Sequence, residues 1–116
     1  MGYRTVGDVI TQVRVLLQDE DAEGYRYSLT SLVQALNEGL LETRRLRPDM
    51  YRHRKLDPPQ YTPSQLESFI DYEPMYLPGL INYVAGLAQL RDSEEATDQR
   101  AAALLNTFTT KLTAVA

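Results

Sequence analysis

The chain has 116 residues, 43% hydrophobic and 24% charged, and these ordinary globular proportions predict one folded domain, residues 1–116. No apolar run approaches the roughly 20 residues of a membrane span, and the N-terminal sequence does not predict a signal peptide. Cysteine is absent and His53 is the single histidine, which excludes catalytic thiols, thiolate metal sites and histidine pairs. We therefore expect no enzyme activity and no catalytic, cofactor-binding or metal site.

The net charge of −4 is unevenly distributed. Six of the 12 basic residues lie between Arg44 and Lys55, where Asp49 is the single acid, and the rest of the chain is acidic. A general nucleic-acid binder usually has a basic surface overall. A local basic patch on an acidic body fits docking to an acidic protein surface at least as well.

Two helices are predicted in the first half, over residues 5–18 and 28–47. Thr5 and Asp8 form a capping-box pattern at the start of the first helix, and Ser28 is a favourable N-cap for the second. Pro48 predicts the end of the second helix, because the residue before a proline disfavours helical geometry. Three arginines near that end would be stabilised by the helix dipole; they are Arg44, Arg45 and Arg47.

The acidic turn between these helices resembles the start of a calcium-binding loop, with acids at residues 19, 21 and 23 followed by a glycine. The twelfth position, where such a loop needs a bidentate glutamate, is Thr30. We therefore interpret the turn as solvated rather than metal-binding. The gap is also too long and too acidic for a DNA-binding helix-turn-helix.

All six prolines fall between residues 48 and 78, which predicts an irregular segment over residues 48–77. Within it, Thr62, Pro63 and Gln65 predict a short helix over residues 63–68. The segment also contains four tyrosines, Tyr51, Tyr61, Tyr72 and Tyr76. It is either an interaction segment or a loop packed on its own domain. His53 lies among cations and is expected to be a surface or interface residue rather than a catalytic base.

Two more helices are predicted over residues 77–91 and 94–113. Ser93 is the expected N-cap of the last helix, with Glu94 and Glu95 in its first turn. The predicted fold is thus all-α. It is a small four-helix unit of two helix pairs, with an irregular proline- and tyrosine-rich middle segment and one short extra helix.

Several segments together resemble a known family. They are Thr5-Val6-Gly7-Asp8-Val9-Ile10, Leu16-Leu17-Gln18-Asp19, Tyr25-Arg26-Tyr27-Ser28, Leu36-Asn37-Glu38-Gly39, Arg45-Leu46-Arg47-Pro48-Asp49, Leu80-Ile81-Asn82-Tyr83-Val84, Arg91-Asp92-Ser93-Glu94, Arg100-Ala101-Ala102-Ala103 and Phe108. Their order resembles that of the tailed-bacteriophage head–tail connector proteins, also called adaptor or gateway proteins. Relatives often carry a longer, more strand-like insert after the Arg-Pro-Asp segment, whereas the insert here is short, basic and proline-rich.

The resemblance implies a structural virion protein of the head–tail neck, present in the host cytoplasm during assembly. It implies a homo-oligomeric ring, a dodecamer in this family, that binds the portal protein and a downstream neck or tail protein. Genomic DNA would pass through the ring without specific binding, and neither a membrane nor a cofactor is implied. An acidic body fits such a conduit, because its wall should repel phosphates.

The candidate protein-interface residues are the basic segment and the middle tyrosines, since arginine and tyrosine are enriched at interface hot spots. They are Arg44, Arg45, Arg47, Tyr51, Arg52, Arg54, Lys55, Tyr61, Tyr72 and Tyr76. The alternative function is a small nucleic-acid-binding helical module that uses the basic segment 44–55. A helical regulator or toxin–antitoxin partner is a third class, and it would form small oligomers rather than a ring.

Overall fold

The computed structural model describes residues 5–21, 23–92 and 98–113, and in them it confirms the all-α fold. Their only strand-like pairing is an isolated bridge between Thr5 and Phe69. Across the same residues, no helix combines the length and apolar character needed to cross a membrane. The elements in chain order are α1 (Val6–Leu17), α2 (Leu29–Leu46), the 3-10 helices η1 (Pro48–Arg54), η2 (Pro63–Gln65) and η3 (Pro74–Tyr76), α3 (Leu77–Asp92) and α4 (Asp98–Thr113).

The predicted ends of α1 and α2 follow from local hydrogen bonds. The hydroxyl of Thr5 accepts from the backbone N–H of Asp8 at 3.0 Å, and the Asp8 carboxylate accepts from the Thr5 N–H at 3.2 Å, which completes the capping box. The hydroxyl of Ser28 accepts from the Ser31 N–H at 3.1 Å. α2 ends two residues before Pro48. The sequence prediction is confirmed at these three helix ends.

The C-terminal half follows its prediction in outline. α3 begins at residue 77, directly after η3, and ends one residue beyond the predicted end. The described part of α4 is residues 98–113, so the proposed cap Ser93 and the acids Glu94 and Glu95 lie outside the described residues. In α4 three threonine hydroxyls each donate a hydrogen bond to the backbone carbonyl four residues earlier. These bonds satisfy hydroxyl groups that would otherwise disfavour a helix. The residues are Thr107, Thr109 and Thr113.

α3 lies at the centre of the fold, because α1, α2 and α4 all pack against it. A Cβ on Gly39 of α2 would lie 2.7 Å from Leu80 Cδ1 and 3.1 Å from Tyr83 Cδ1, so glycine permits the close approach of α2 to α3. The Tyr83 ring also contacts α4, where its centre lies 4.7 Å from that of the Phe108 ring. The core includes the fully buried side chains Val6, Val9, Val13, Leu32, Leu36, Leu40, Leu80, Val84, Phe108 and Leu112.

The middle segment packs on its own domain and is more regular than predicted. Residues 48–54 form the 3-10 helix η1, where an irregular chain was expected, and η2 covers three residues instead of the predicted 63–68. The capping box between Thr62 and Gln65 is nevertheless present. After η2, the carbonyl of Leu66 accepts from the Gly7 N–H at 2.7 Å, and that of Ser68 accepts from the Val6 N–H at 2.9 Å. These bonds fasten the segment to the start of α1.

Candidate interaction surfaces

Arg47, at the end of α2, forms hydrogen bonds with residues of η1, η3 and α4. Its guanidinium makes two parallel hydrogen bonds to the Asp49 carboxylate, at 3.0 and 2.8 Å. It also donates to the Leu112 carbonyl at 3.0 Å and to the Tyr76 hydroxyl at 3.3 Å, and it lies 5.3 Å from the centre of the Tyr76 ring. The hydrogen bond from Arg47 lowers the pKa of Asp49, and the bonds to Asp49 and Tyr76 raise the pKa of Arg47. These contacts give Arg47 a structural role in its own subunit, and its place in a protein interface stays a prediction.

Three of the four candidate tyrosines belong to the core. Tyr51, Tyr61 and Tyr72 are buried, and Tyr76 is half-buried against Arg47. Tyrosine brings a large apolar ring to a chain segment that has few other apolar side chains, and here that area is buried within the subunit. The three buried tyrosines are therefore removed from the candidate interface.

The buried tyrosine hydroxyls differ in their partners. Tyr72 bonds the Thr43 hydroxyl at 2.8 Å, and Thr43 in turn donates to the Gly39 carbonyl. The Tyr51 hydroxyl has no hydrogen-bond partner within the part of the chain that the structure describes. Burial raises the pKa of Tyr72 to about 12 and also raises the pKa of Tyr51. Neither phenol ionises near neutral pH.

Asn37 fixes the course of the middle segment. Its side-chain amide donates to the Tyr61 carbonyl at 2.8 Å and accepts from the Tyr61 N–H at 2.8 Å. The Tyr61 hydroxyl accepts from the Asp71 N–H at 3.0 Å. The Asp71 carboxylate accepts from His53 at 2.8 Å and from Arg54 at 2.7 Å. Burial alone would raise the pKa of Asp71, but the hydrogen bonds from His53 and Arg54 hold it below its ordinary value.

Five of the predicted basic residues are exposed, as an interface requires; they are Arg44, Arg45, Arg52, Arg54 and Lys55. Two of them are already paired, because Arg45 binds the Glu42 carboxylate and Arg54 binds Asp71. The hydrogen bond from Arg45 lowers the pKa of Glu42. We call residues 52–56 the basic tip, since this exposed turn carries most of the remaining positive charge.

A cleft of about 380 Å³ lies between η1 and η3. His53 and Asp71 line one part of it, and the strongly exposed Met75 lines another. His53 is exposed, as predicted, and its contact with Asp71 fastens η1 to residue 71. This ion-pair cluster is a structural arrangement on the surface of the middle segment.

A larger groove, about 610 Å³ in volume, runs along α1 and was missed by the sequence analysis. We call it the α1 groove; it is lined by Thr5, Gly7, Asp8, Ile10, Thr11, Arg14, Val15, Glu20, Tyr25, Leu29, Leu66 and Glu67. Val15 and Tyr25 are 47% and 45% exposed, although each has a large apolar side chain. The sequence contained one indication of this groove: Val15 is apolar but lies outside the apolar face that α1 turns toward the core.

Arg14, one of the residues that line this groove, forms a buried ion pair with Asp19. Arg14 donates to the Asp19 carboxylate at 2.8 Å and to the Tyr27 carbonyl at 2.9 Å, and its guanidinium lies 3.5 Å from the centre of the Tyr25 ring. Asp19 also accepts from the backbone N–H groups of Arg26 and Tyr27. The turn predicted to be solvated is therefore partly buried at Asp19, because its carboxylate orders the chain that leads into α2.

Neither a metal site nor a similar known protein identifies a function for these surfaces. Among residues 5–21, 23–92 and 98–113, no group of three or more acidic or histidine side chains is placed to hold a metal ion. No protein-family model, curated protein or solved structure matches this chain. The candidate surfaces are thus the basic tip and the α1 groove.

Proposed function

We propose that this chain is a structural virion protein, a subunit of a phage head–tail connector. Its subunits would assemble into a ring, a dodecamer as in the family that the sequence resembles, and the ring would join the portal to the next neck or tail component. The DNA channel would continue through the ring, and the subunit would act by binding proteins rather than by catalysis.

One observation carries this proposal: the segments that resemble the connector family are distant in sequence and meet in the fold. Gly39 lies against Leu80 and Tyr83, so the Leu-Asn-Glu-Gly segment contacts the Leu-Ile-Asn-Tyr-Val segment. Glu38 of the same Leu-Asn-Glu-Gly segment forms an ion pair with Arg91, which belongs to a third matched segment. The contact of Gly39 with α3 joins two matched segments within the close-packed core, which supports a fold shared with the connector family.

The matched segments near the helix ends also have structural roles. Thr5 and Asp8 cap α1, Asp19 orders the turn before α2, and Arg47 bonds Asp49 at the end of α2. Each of these residues belongs to a segment quoted for the resemblance. They support a common architecture for the subunit, on which different connectors can carry different surface residues.

The distribution of charge favours the connector over the nucleic-acid-binding alternative. Phosphate binding needs free cations, yet Arg45, Arg47 and Arg54 each bind a carboxylate of their own subunit. Three exposed cations of the basic segment form no salt bridge in the described part of the chain; they are Arg44, Arg52 and Lys55. Too few cations remain for a broad phosphate-binding surface, whereas they suffice for a contact with an acidic protein surface.

The test is the mass of the purified protein by light scattering, alone and mixed with the portal protein of the phage genome that encodes it. We expect a ring of about twelve times the 13.2 kDa subunit mass in at least one sample, with annular particles in negative-stain electron microscopy. A monomer or dimer in both samples would refute the proposal. A salt titration of DNA binding tests the alternative, because counterion release would make DNA affinity fall steeply with salt.

The exposed arginines provide a second test of the same proposal. We expect Arg52→Glu/Arg54→Glu to weaken ring formation or portal binding in a pull-down while leaving the subunit folded. Lys111→Glu is the matched control, because Lys111 is exposed on α4, far along the chain from the basic segment. Unchanged binding by the double variant would remove the basic segment from the interface.

A further inference from the structure

The basic tip has an unusual backbone. Lys55 and Leu56 have φ angles of 58° and 66°, in the left-handed region that residues with a Cβ adopt rarely. Hydrogen bonds from the N–H groups of Lys55 and Leu56 to the carbonyls of Arg52 and Tyr51 hold the turn in place. As a result, the apolar side chain of Leu56 is 46% exposed at a turn that also carries the cations Arg52 and Lys55. Strain held by local bonds at an exposed apolar side chain is typical of functional sites.

The α1 groove has the complementary character. Its apolar part includes the exposed side chains of Val15 and Tyr25, and the carboxylates of Glu20 and Glu67 lie exposed at its margin. Among the lining residues that the structure describes, Arg14 is the only basic one, and its charge is offset by Asp19. The groove is therefore an apolar depression with an acidic margin.

We propose that the basic tip of one copy of this chain inserts into the α1 groove of a second copy. Leu56 would occupy the apolar part beside Val15 and Tyr25, while Arg52 and Lys55 would lie against the carboxylates at the margin. The inference deepens the connector proposal and rests on it, because it identifies the contact between neighbouring subunits of the ring. Opposite charges at the rim favour the correct partner and increase the rate of association.

The positions of the two surfaces fit a contact that repeats from copy to copy. Leu29, the first residue of α2, lines the groove, whereas the tip begins in the last residues of η1, beyond the C-terminal end of α2. The 18 residues of α2 make it about 27 Å long. The tip and the groove share no residue, so one copy can offer its tip to one neighbour and its groove to another. Contacts between two different surfaces of identical subunits close into rings or extend into filaments.

The experiment measures self-association by sedimentation velocity over a range of protein concentrations up to about 1 mM. Two charge-reversal variants, Arg52→Glu/Lys55→Glu and Glu20→Lys/Glu67→Lys, are each expected to weaken association about tenfold or more, because like charges then face each other. The variant that combines all four substitutions restores opposite charges and is expected to recover association. Lys111→Glu, which changes charge on α4, should leave it unchanged.

Leu56→Gly separates binding from folding. Glycine adopts positive φ without strain, so we expect this variant to unfold at a higher temperature than the wild type and yet to associate more weakly. Leu41→Ser is the matched control, because Leu41 is similarly exposed but lies outside both surfaces. A Leu56→Gly variant that associates like the wild type would overturn the assignment of Leu56.

The remaining outcomes show whether the tip-to-groove contact or the connector proposal is wrong. If rings form and both charge-reversal variants still form them, the tip-to-groove contact is overturned and the connector proposal stands. If the wild-type chain does not self-associate in solution, the contact is overturned, and mixing with the portal protein decides the connector proposal by itself. A symmetric dimer that both charge-reversal variants still form would overturn the contact. A symmetric dimer that both variants weaken would support the contact, made reciprocally between two copies, and would overturn its place in a ring.

Discussion

Replacing Tyr51 with phenylalanine is expected to stabilise the protein. The Tyr51 side chain is 1% exposed, and its hydroxyl has no hydrogen-bond partner among the described residues. A buried hydroxyl without a partner costs about 1–3 kcal/mol, because it has lost its bonds to water. Phenylalanine keeps the ring and removes this cost. Allowing for the small void that is left, we expect the free energy of unfolding to rise by about 0.5–2 kcal/mol.

Tyr72→Phe is the matched control for this prediction. Tyr72 is also buried, but its hydroxyl bonds that of Thr43 at 2.8 Å. The same change should therefore destabilise the protein by about 0.5–1.5 kcal/mol, the usual net contribution of one hydrogen bond. The two substitutions remove the same atom and are expected to have opposite signs.

Urea and thermal unfolding monitored by circular dichroism measure both variants. For a chain of this length, about 1 kcal/mol corresponds to a change in Tm of roughly 4 °C. The comparison requires equal denaturant slopes, because a changed slope indicates a change in the denatured state rather than in the native contact. A Tyr51→Phe variant that unfolds at lower urea concentration than the wild type would show that the hydroxyl is bonded in the native protein, and the reasoning would be refuted.

Two further stability predictions concern the middle segment. Asn37→Ala should lower the free energy of unfolding by about 1–3 kcal/mol in urea titrations, since it leaves two backbone groups of Tyr61 without partners; a loss under about 0.5 kcal/mol would contradict this. Asp71→Asn removes a carboxylate whose pKa is lowered by His53 and Arg54. The ion pairs of Asp71 stabilise the folded protein at pH values above the ordinary carboxyl pKa of 3.8. This stabilisation disappears as the pH falls through the lower pKa that Asp71 has in the folded protein. The wild type should therefore be more stable than the variant at about pH 6 and equally stable at about pH 2. If the difference in the free energy of unfolding between wild type and variant is the same at both pH values, the stabilisation does not depend on ionisation of Asp71.

The sequence predicted most of the helices because their ends depend on neighbouring residues. Capping of α1 by Thr5 and Asp8, and the end of α2 before Pro48, each involve groups within a few positions of one another. Near the start of α3, Pro74 and Pro78 are both compatible with a first helical turn. The structure uses both, with Pro74 opening η3 and Pro78 in the first turn of α3.

The candidate site was predicted less well, because exposure depends on long-range packing. Tyr51, Tyr61 and Tyr72 have the composition of an interface, and only the fold reveals that they cover the core of their own subunit. The sequence pattern predicts a solvated Asp19, because its partner Arg14 belongs to the preceding helix and its other bonds come from backbone groups beyond the turn. The α1 groove depends on Leu66 and Glu67, which are distant in sequence from the helix they border.

The central place of α3 has a consequence for the order of events during synthesis. The apolar faces of α1 and α2 share one core with Leu80 and Val84 of α3, so the N-terminal half cannot bury its apolar surface before α3 has been translated. At 5–20 residues per second, the ribosome needs about 2–9 s to pass from the end of α2 to the end of α3. During that interval the nascent chain exposes the residues that later form its core. A chaperone that binds nascent apolar segments would therefore meet this protein before it folds.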